Sequence, residues 1–172
     1  IMSQVYTNVS KYNSYPRIVG ETGGKNWHFL DSTLKSNDLK IVANKTVQSA
    51  FGYSGQKCSA CSIVYVPSNI YAEFLKELKK ATKSFTHYES FKNYTLINET
   101  SFDRVYDVME NIKNDNKYNI IYGGKMDSHK QYFCEPTILE CSDHSDAVFN
   151  QEFFAPILAI YKYDNIDEAM HL

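Results

Sequence analysis

Between residues 36 and 81 the spacing of apolar side chains switches from helical to extended and back, and few folds satisfy that pattern. Over residues 36 to 53, Leu39, Val42, Val47, Ala50 and Phe51 recur at helical spacing, with Ser36 or Asn37 placed to cap the helix. The stretch CSIVYVP at 61–67 is β-branched and aromatic and closes on a proline, which reads as a strand. Ser68 can cap a second helix with Ile70, Phe74, Leu75 and Leu78 inward, while Lys76, Glu77, Lys79 and Lys80 belong to its solvated face. A further helix is predicted from Ser101, with Phe102, Val105, Met109 and Ile112 inward. YNIIYGG, QYFCEPTILEC and ILAIYKY read as strands, and RIVG and NWHFLD as short strands or extended segments around the glycine turn ETGGK. Strands alternate with helices. The expected fold is therefore a three-layer αβα domain around an open, twisted, largely parallel sheet.

The chain has 172 residues, 43% hydrophobic and 22% charged, which is enough apolar material for one core. Its net charge is -2 and the charges are interspersed, so neither a nucleic-acid stripe nor a polybasic lipid patch is read. No apolar run approaches the roughly 18 residues of a membrane span. The first residue is Ile1, and the stretch NIDEAMHL opens like a helix capped by Asn165 with Glu168 but stops after about two turns. Both ends thus read as cut, and residues 1–172 as a piece of a longer protein. Sequons stand at Asn8, Asn44, Asn93 and Asn98, a chance outcome in a chain rich in Asn, Ser and Thr, and secretion is not the reading.

Of four cysteines, Cys58 and Cys61 sit in GYSGQKCSAC. A redox Cys-x-x-Cys motif follows a strand and opens a helix, whereas here a helix precedes and a strand follows. A zinc site would need a second half-site, and His28, His87, His129, His144 and His171 are scattered. The third reading is a nucleophile on a loop relieved by Gly52 and Gly55, with Lys57 either an exposed cation or a neighbour that raises the thiolate fraction. A reactive cysteine needs a partner, and Glu21, before Gly23 and Gly24, is the candidate. From spacing alone, Glu21 reads as an exposed residue on a plain glycine turn.

Glu21-x-Gly-Gly-Lys25 followed by Gly55-Gln56-x-Cys58 resembles the aldehyde dehydrogenase superfamily. EFFAP at 152–156 is similar to that family's Glu-x-Phe-Gly-Pro segment, and YGG at 122–124 and YFCEPTIL at 132–139 follow the same order. The resemblance implies that Cys58 is the nucleophile and Glu21 the general base. It implies that Glu152 and Phe154 hold the nicotinamide-side ribose of NAD, and that Ser59 helps hold the substrate. Cys61, Cys134 and Cys141 are then structural, and Lys25 supports the glycine turn. YPRIVGETGGKN and SGQKCSACS are most similar to the branch that oxidises glutamate semialdehyde to glutamate in the mitochondrial matrix. The substrate is then a small aldehyde, with no metal, and the parent protein is a homo-oligomer. The resemblance places the dinucleotide-binding domain, an oxyanion-binding asparagine and the substrate-carboxylate grip outside residues 1–172, so the chain alone is expected to be an inactive catalytic domain. Ala155 stands where the family has Gly and is expected to crowd the cofactor loop. Extra residues near STLKSND are expected at the surface, and residues 85–98 lack a Gly-Pro found in relatives.

Overall fold

The computed structural model describes residues 2–14, 16–88 and 94–171. Its centre is a five-stranded sheet in the order β1, β2, β7, β6, β3. These strands are β1 (Asn26–Phe29), β2 (Cys61–Pro67), β3 (Tyr118–Tyr122), β6 (Thr137–Cys141) and β7 (Ile157–Tyr163). The first four strands in that order run parallel, and β3 closes the far edge antiparallel to β6.

Consecutive residues of a strand face opposite sides, and here both sides are buried. On one side Val64, Val66, Ile138, Leu158 and Ile160 pack against α2 (Ser36–Phe51) and α3 (Ser68–Tyr88) through Leu39, Val47, Phe51, Phe74 and Leu78. On the other, Ile63, Leu139, Ile157 and Ala159 pack against Phe102, Val105, Met109 and Ile112 of α4 (Glu99–Asn114). This is the expected three-layer α/β domain, and double-sided burial explains why the strands read as apolar runs rather than alternating ones. The remaining elements are short: α1 (Met2–Thr7), β4 (Met126–Asp127), β5 (Phe133–Cys134), α5 (Ala147–Asn150) and α6 (Ile166–Ala169). Asn165 caps α6 as expected, accepting the Asp167 N–H at 2.8 Å.

Three local readings change. The α2 cap is Lys35 rather than Ser36 or Asn37, because the Asp38 carboxylate accepts the Lys35 N–H at 3.2 Å and fixes the first turn one residue earlier. RIVG pairs with no strand among the described residues, and Val19 is 84% exposed, because β1 begins only at Asn26 and is the edge. QYFCEPTILEC is two strands, since Pro136 has no N–H to continue a ladder; β5 pairs with β4, and β6 joins the main sheet. The STLKSND stretch lies at the α2 start and is mostly exposed, as expected. Asn93 lies outside the described residues, and Asn98 serves as the α4 cap by accepting the Ser101 N–H at 2.8 Å.

Candidate active site

Each of the three sequence segments singled out above immediately precedes a parallel strand. Glu21 to Lys25 lead into β1, Gly55 to Ala60 into β2, and Glu152 to Pro156 into β7. Because β1, β2 and β7 are adjacent and parallel, the three segments converge on one end of the sheet. That end is the amino-terminal one. Ligand sites of open α/β sheets usually lie beyond the carboxyl ends of the strands. Here the three segments run into the strands instead of out of them.

Direct contacts tie the segments together. Asn26 donates its side-chain amide to Cys58 O at 2.6 Å and to Ala60 O at 3.3 Å, fastening the cysteine turn to the start of β1. Ser62 Oγ returns a bond to Asn26 O at 3.1 Å. Gly55 has φ +66, and a Cβ there would collide with the Ala155 carbonyl, so only glycine lets the cysteine loop lie on the 152–156 segment. Gly23 lies against the Glu152 side chain, whose carboxylate oxygen a Cβ on Gly23 would displace. Gln56 acts as a brace, donating to Thr95 O at 3.0 Å and accepting the Ile97 N–H at 2.9 Å. The glycine and glutamine of GQKC thus shape the loop, and the cysteine itself is left exposed.

A cleft at this junction is lined by Gly24, Lys25, Lys57, Glu152 and Phe154 among others. Cys58 is not among the lining residues, but its chain neighbours Lys57 and Ala60 are. Glu21 is exposed on its turn. Ser59 is also exposed. Phe154 has φ +51 and its side chain is 42% exposed, while the neighbouring Phe153 is buried. Ala155 is buried and keeps a negative φ, so its methyl brings no backbone strain; its carbonyl, not its side chain, makes the tight approach to Gly55.

The other thiols are of a different kind. Cys61 is 2% exposed and bonds Ile63 O at 3.2 Å, and burial pushes its pKa up to about 12. Burial also pushes Cys134 up to about 12 and raises Cys141. Lys57 places its ammonium over Gly52, 3.3 Å from where a Cβ would stand. Lys25 is buried enough that its ammonium is drawn down to about 8, with the Glu152 carboxylate opposing. Asn26 and Arg104 hold this junction without any mark in the sequence pattern. Asn26 and Arg104 act through backbone carbonyls distant in sequence, and no local pattern marks such contacts.

The family model described as the aldehyde dehydrogenase family matches residues 1–172. The chain belongs to that family. Over its whole length this aldehyde dehydrogenase chain is 38% identical to the mitochondrial delta-1-pyrroline-5-carboxylate dehydrogenase of Danio rerio, of which it covers 32%. The crystal structure of the delta-pyrroline-5-carboxylate dehydrogenase from Mycobacterium tuberculosis superposes with a TM-score of 0.79 at 29% identity, covering 98% of this chain and 31% of that one. The same Mycobacterium enzyme bound with NAD gives 0.77 at 28% identity, covering 98% and 30%. The aldehyde dehydrogenase chain therefore spans about a third of the length of the curated relatives it matches.

Proposed function

We propose that residues 1–172 are the nucleophile-bearing catalytic domain of an NAD-dependent dehydrogenase that oxidises L-glutamate γ-semialdehyde to glutamate. The observation that carries this is the convergence of Glu21, Cys58 and Glu152 on the amino-terminal ends of three adjacent parallel strands. Relatives with this activity in their names, one of them mitochondrial, support the substrate and a mitochondrial site of action. The parent protein is then a homo-oligomer acting on a small aldehyde, with the adenosine half of the cofactor gripped outside these residues.

The residues present fit a dinucleotide's sugar. Glu152 offers a carboxylate able to accept from two hydroxyls, in a cleft it lines with Gly24, and Phe154 offers an exposed ring beside it. NAD, when bound, supplies the acceptor for the two electrons removed from the substrate. Everything else falls to side chains and backbone of this chain. The Cys58 sulfur adds to the aldehyde carbon, and the carbonyl electron pair moves to oxygen. The Cys58 N–H has no protein partner among the described residues and can donate to that oxyanion, a contribution of roughly 3 to 4 kcal/mol for one such donor. Oxidation of the thiohemiacetal leaves a thioester on Cys58. Glu21, open to solvent, takes a proton from water, hydroxide adds to the thioester, and the cysteine departs as thiolate. In this reading Ser59, beside the nucleophile, holds the polar end of the substrate.

The test is a steady-state assay of the full-length protein with glutamate semialdehyde and NAD beside a Cys58→Ser variant. Loss of activity by at least about a thousandfold is expected when a covalent nucleophile is removed. A Cys58→Ser protein that keeps wild-type turnover would falsify the assignment.

A further inference from the structure

The backbone on either side of Glu152 is gripped twice. Lys25 Nζ donates to Gln151 O at 2.8 Å and stands 4.4 Å from the centre of the Phe153 ring. Arg104 Nη2 reaches across from α4 and donates to Phe153 O at 2.7 Å. The two carbonyls flank Glu152, one residue before it and one after. Neither cation forms an ion pair among the described residues, so both charges are directed to neutral backbone acceptors of one short segment.

The Arg104 bond has a specific geometric effect. Phe153 O lies in the same peptide plane as the Phe154 nitrogen, so fixing that oxygen fixes one side of the Phe154 φ torsion. That torsion is +51°, in the left-handed region where a Cβ crowds the backbone, and an aromatic residue stays there only when its surroundings hold it. On the other side, Lys25 connects the turn bearing Glu21 to the segment bearing Glu152. The Glu152 carboxylate and the Lys57 ammonium share its cleft.

We infer that Lys25 and Arg104 are positioning residues: a two-point clamp on Gln151 and Phe153 that presets Glu152 and Phe154 to receive the ribose of the cofactor. The inference rests on the functional reading above. Neither cation touches the reacting atoms; each acts through the segment it holds. Substrate addition at Cys58 does not pass through that segment, so losing the clamp separates cofactor binding from thiol chemistry.

The experiment uses the full-length protein as wild type, Arg104→Ala, Arg104→Lys, Lys25→Met and the double variant Arg104→Ala/Lys25→Met. Arg104→Ala is expected to raise the KM for NAD about tenfold, the effect of losing one charge-assisted hydrogen bond. The KM for aldehyde and the rate of Cys58 alkylation without cofactor stay at wild-type values. Arg104→Lys keeps the charge but not the planar fork and gives an intermediate KM, which keeps the idea testable should the alanine variant fail to fold. Lys25→Met shifts the same constant, and the double variant is less than additive because both residues fix one segment. An active wild type whose NAD KM is unmoved by either Arg104 variant overturns the clamp alone. So does a parallel rise in both KM values with faster alkylation, the sign of general loosening. A wild-type protein that oxidises no aldehyde with NAD overturns the functional reading, and the clamp with it.

Discussion

Gly55 is where two of the signature segments touch. Its φ of +66 and the Ala155 carbonyl opposite leave no room for a side chain. Gly55→Ala is expected to destabilise the domain by more than the roughly 1 kcal/mol of an unfavourable φ, because backbone must also shift. A urea titration reads that loss, and the shift should loosen the Cys58 turn as well; an unchanged midpoint would rule out the close approach. Around this glycine the polar side chains serve the backbone. Asn26 holds Cys58 O, Gln56 holds Thr95 and Ile97, and Arg104 holds Phe153 O. Cys58 itself stays exposed.

At the scale of elements, the site depends on how the segment before β7 is launched. It leaves α5, whose cap is Asp146: its carboxylate accepts the Val148 N–H at 2.9 Å, the Tyr118 hydroxyl at 2.8 Å and the Lys117 ammonium at 2.7 Å. Burial alone would raise this carboxyl, but the bonds from Lys117, Val148 and Tyr118 outweigh it and hold its pKa below the ordinary 3.8. A depressed native pKa means the folded chain binds fewer protons than the unfolded one in acid. The stabilisation is therefore present above 3.8 and is lost as pH falls through the lower native value. Asp146→Ala is expected to cost about 2 to 4 kcal/mol near neutrality, since it also leaves Tyr118 and the helix start unpaired. Urea midpoints should differ most at neutral pH and converge in strong acid; a gap that persists unchanged in acid would refute the ionic part. The antiparallel β3 edge stands at the opposite end of the sheet from β1, whereas β5 bridges at Phe133 to Thr95, whose carbonyl Gln56 of the cysteine turn holds.

For the whole molecule, folding sorts four chemically identical thiols into one exposed and three buried. A limiting amount of iodoacetamide at mildly alkaline pH should label Cys58 first, while Cys61 and Cys134, pushed up to about 12, stay protected until the chain unfolds. Peptide mapping checks this, and equal labelling of all four would contradict the fold's partition. If the proposed function holds, residues 1–172 alone show this labelling without oxidising aldehyde with NAD, because that reading places the rest of the cofactor grip outside them. Among the described residues no helix is long and apolar enough to cross a membrane.

The amino-acid sequence by itself determined the helices and strands, because burial of Phe74, Met109 or Val64 is written in local spacing. It also marked Glu21, Cys58 and Glu152, because their neighbours form recognisable wording. It did not determine where RIVG lies, the split at Pro136, or the cap at Lys35, each decided by a partner or a missing N–H that spacing does not encode. Only the tertiary structure decided that three segments spread over more than a hundred residues share one sheet end, and that Lys25 and Arg104 grip one of them. Strand order and direction set that meeting. They arise from packing both faces of the sheet at once, which no single stretch of chain contains.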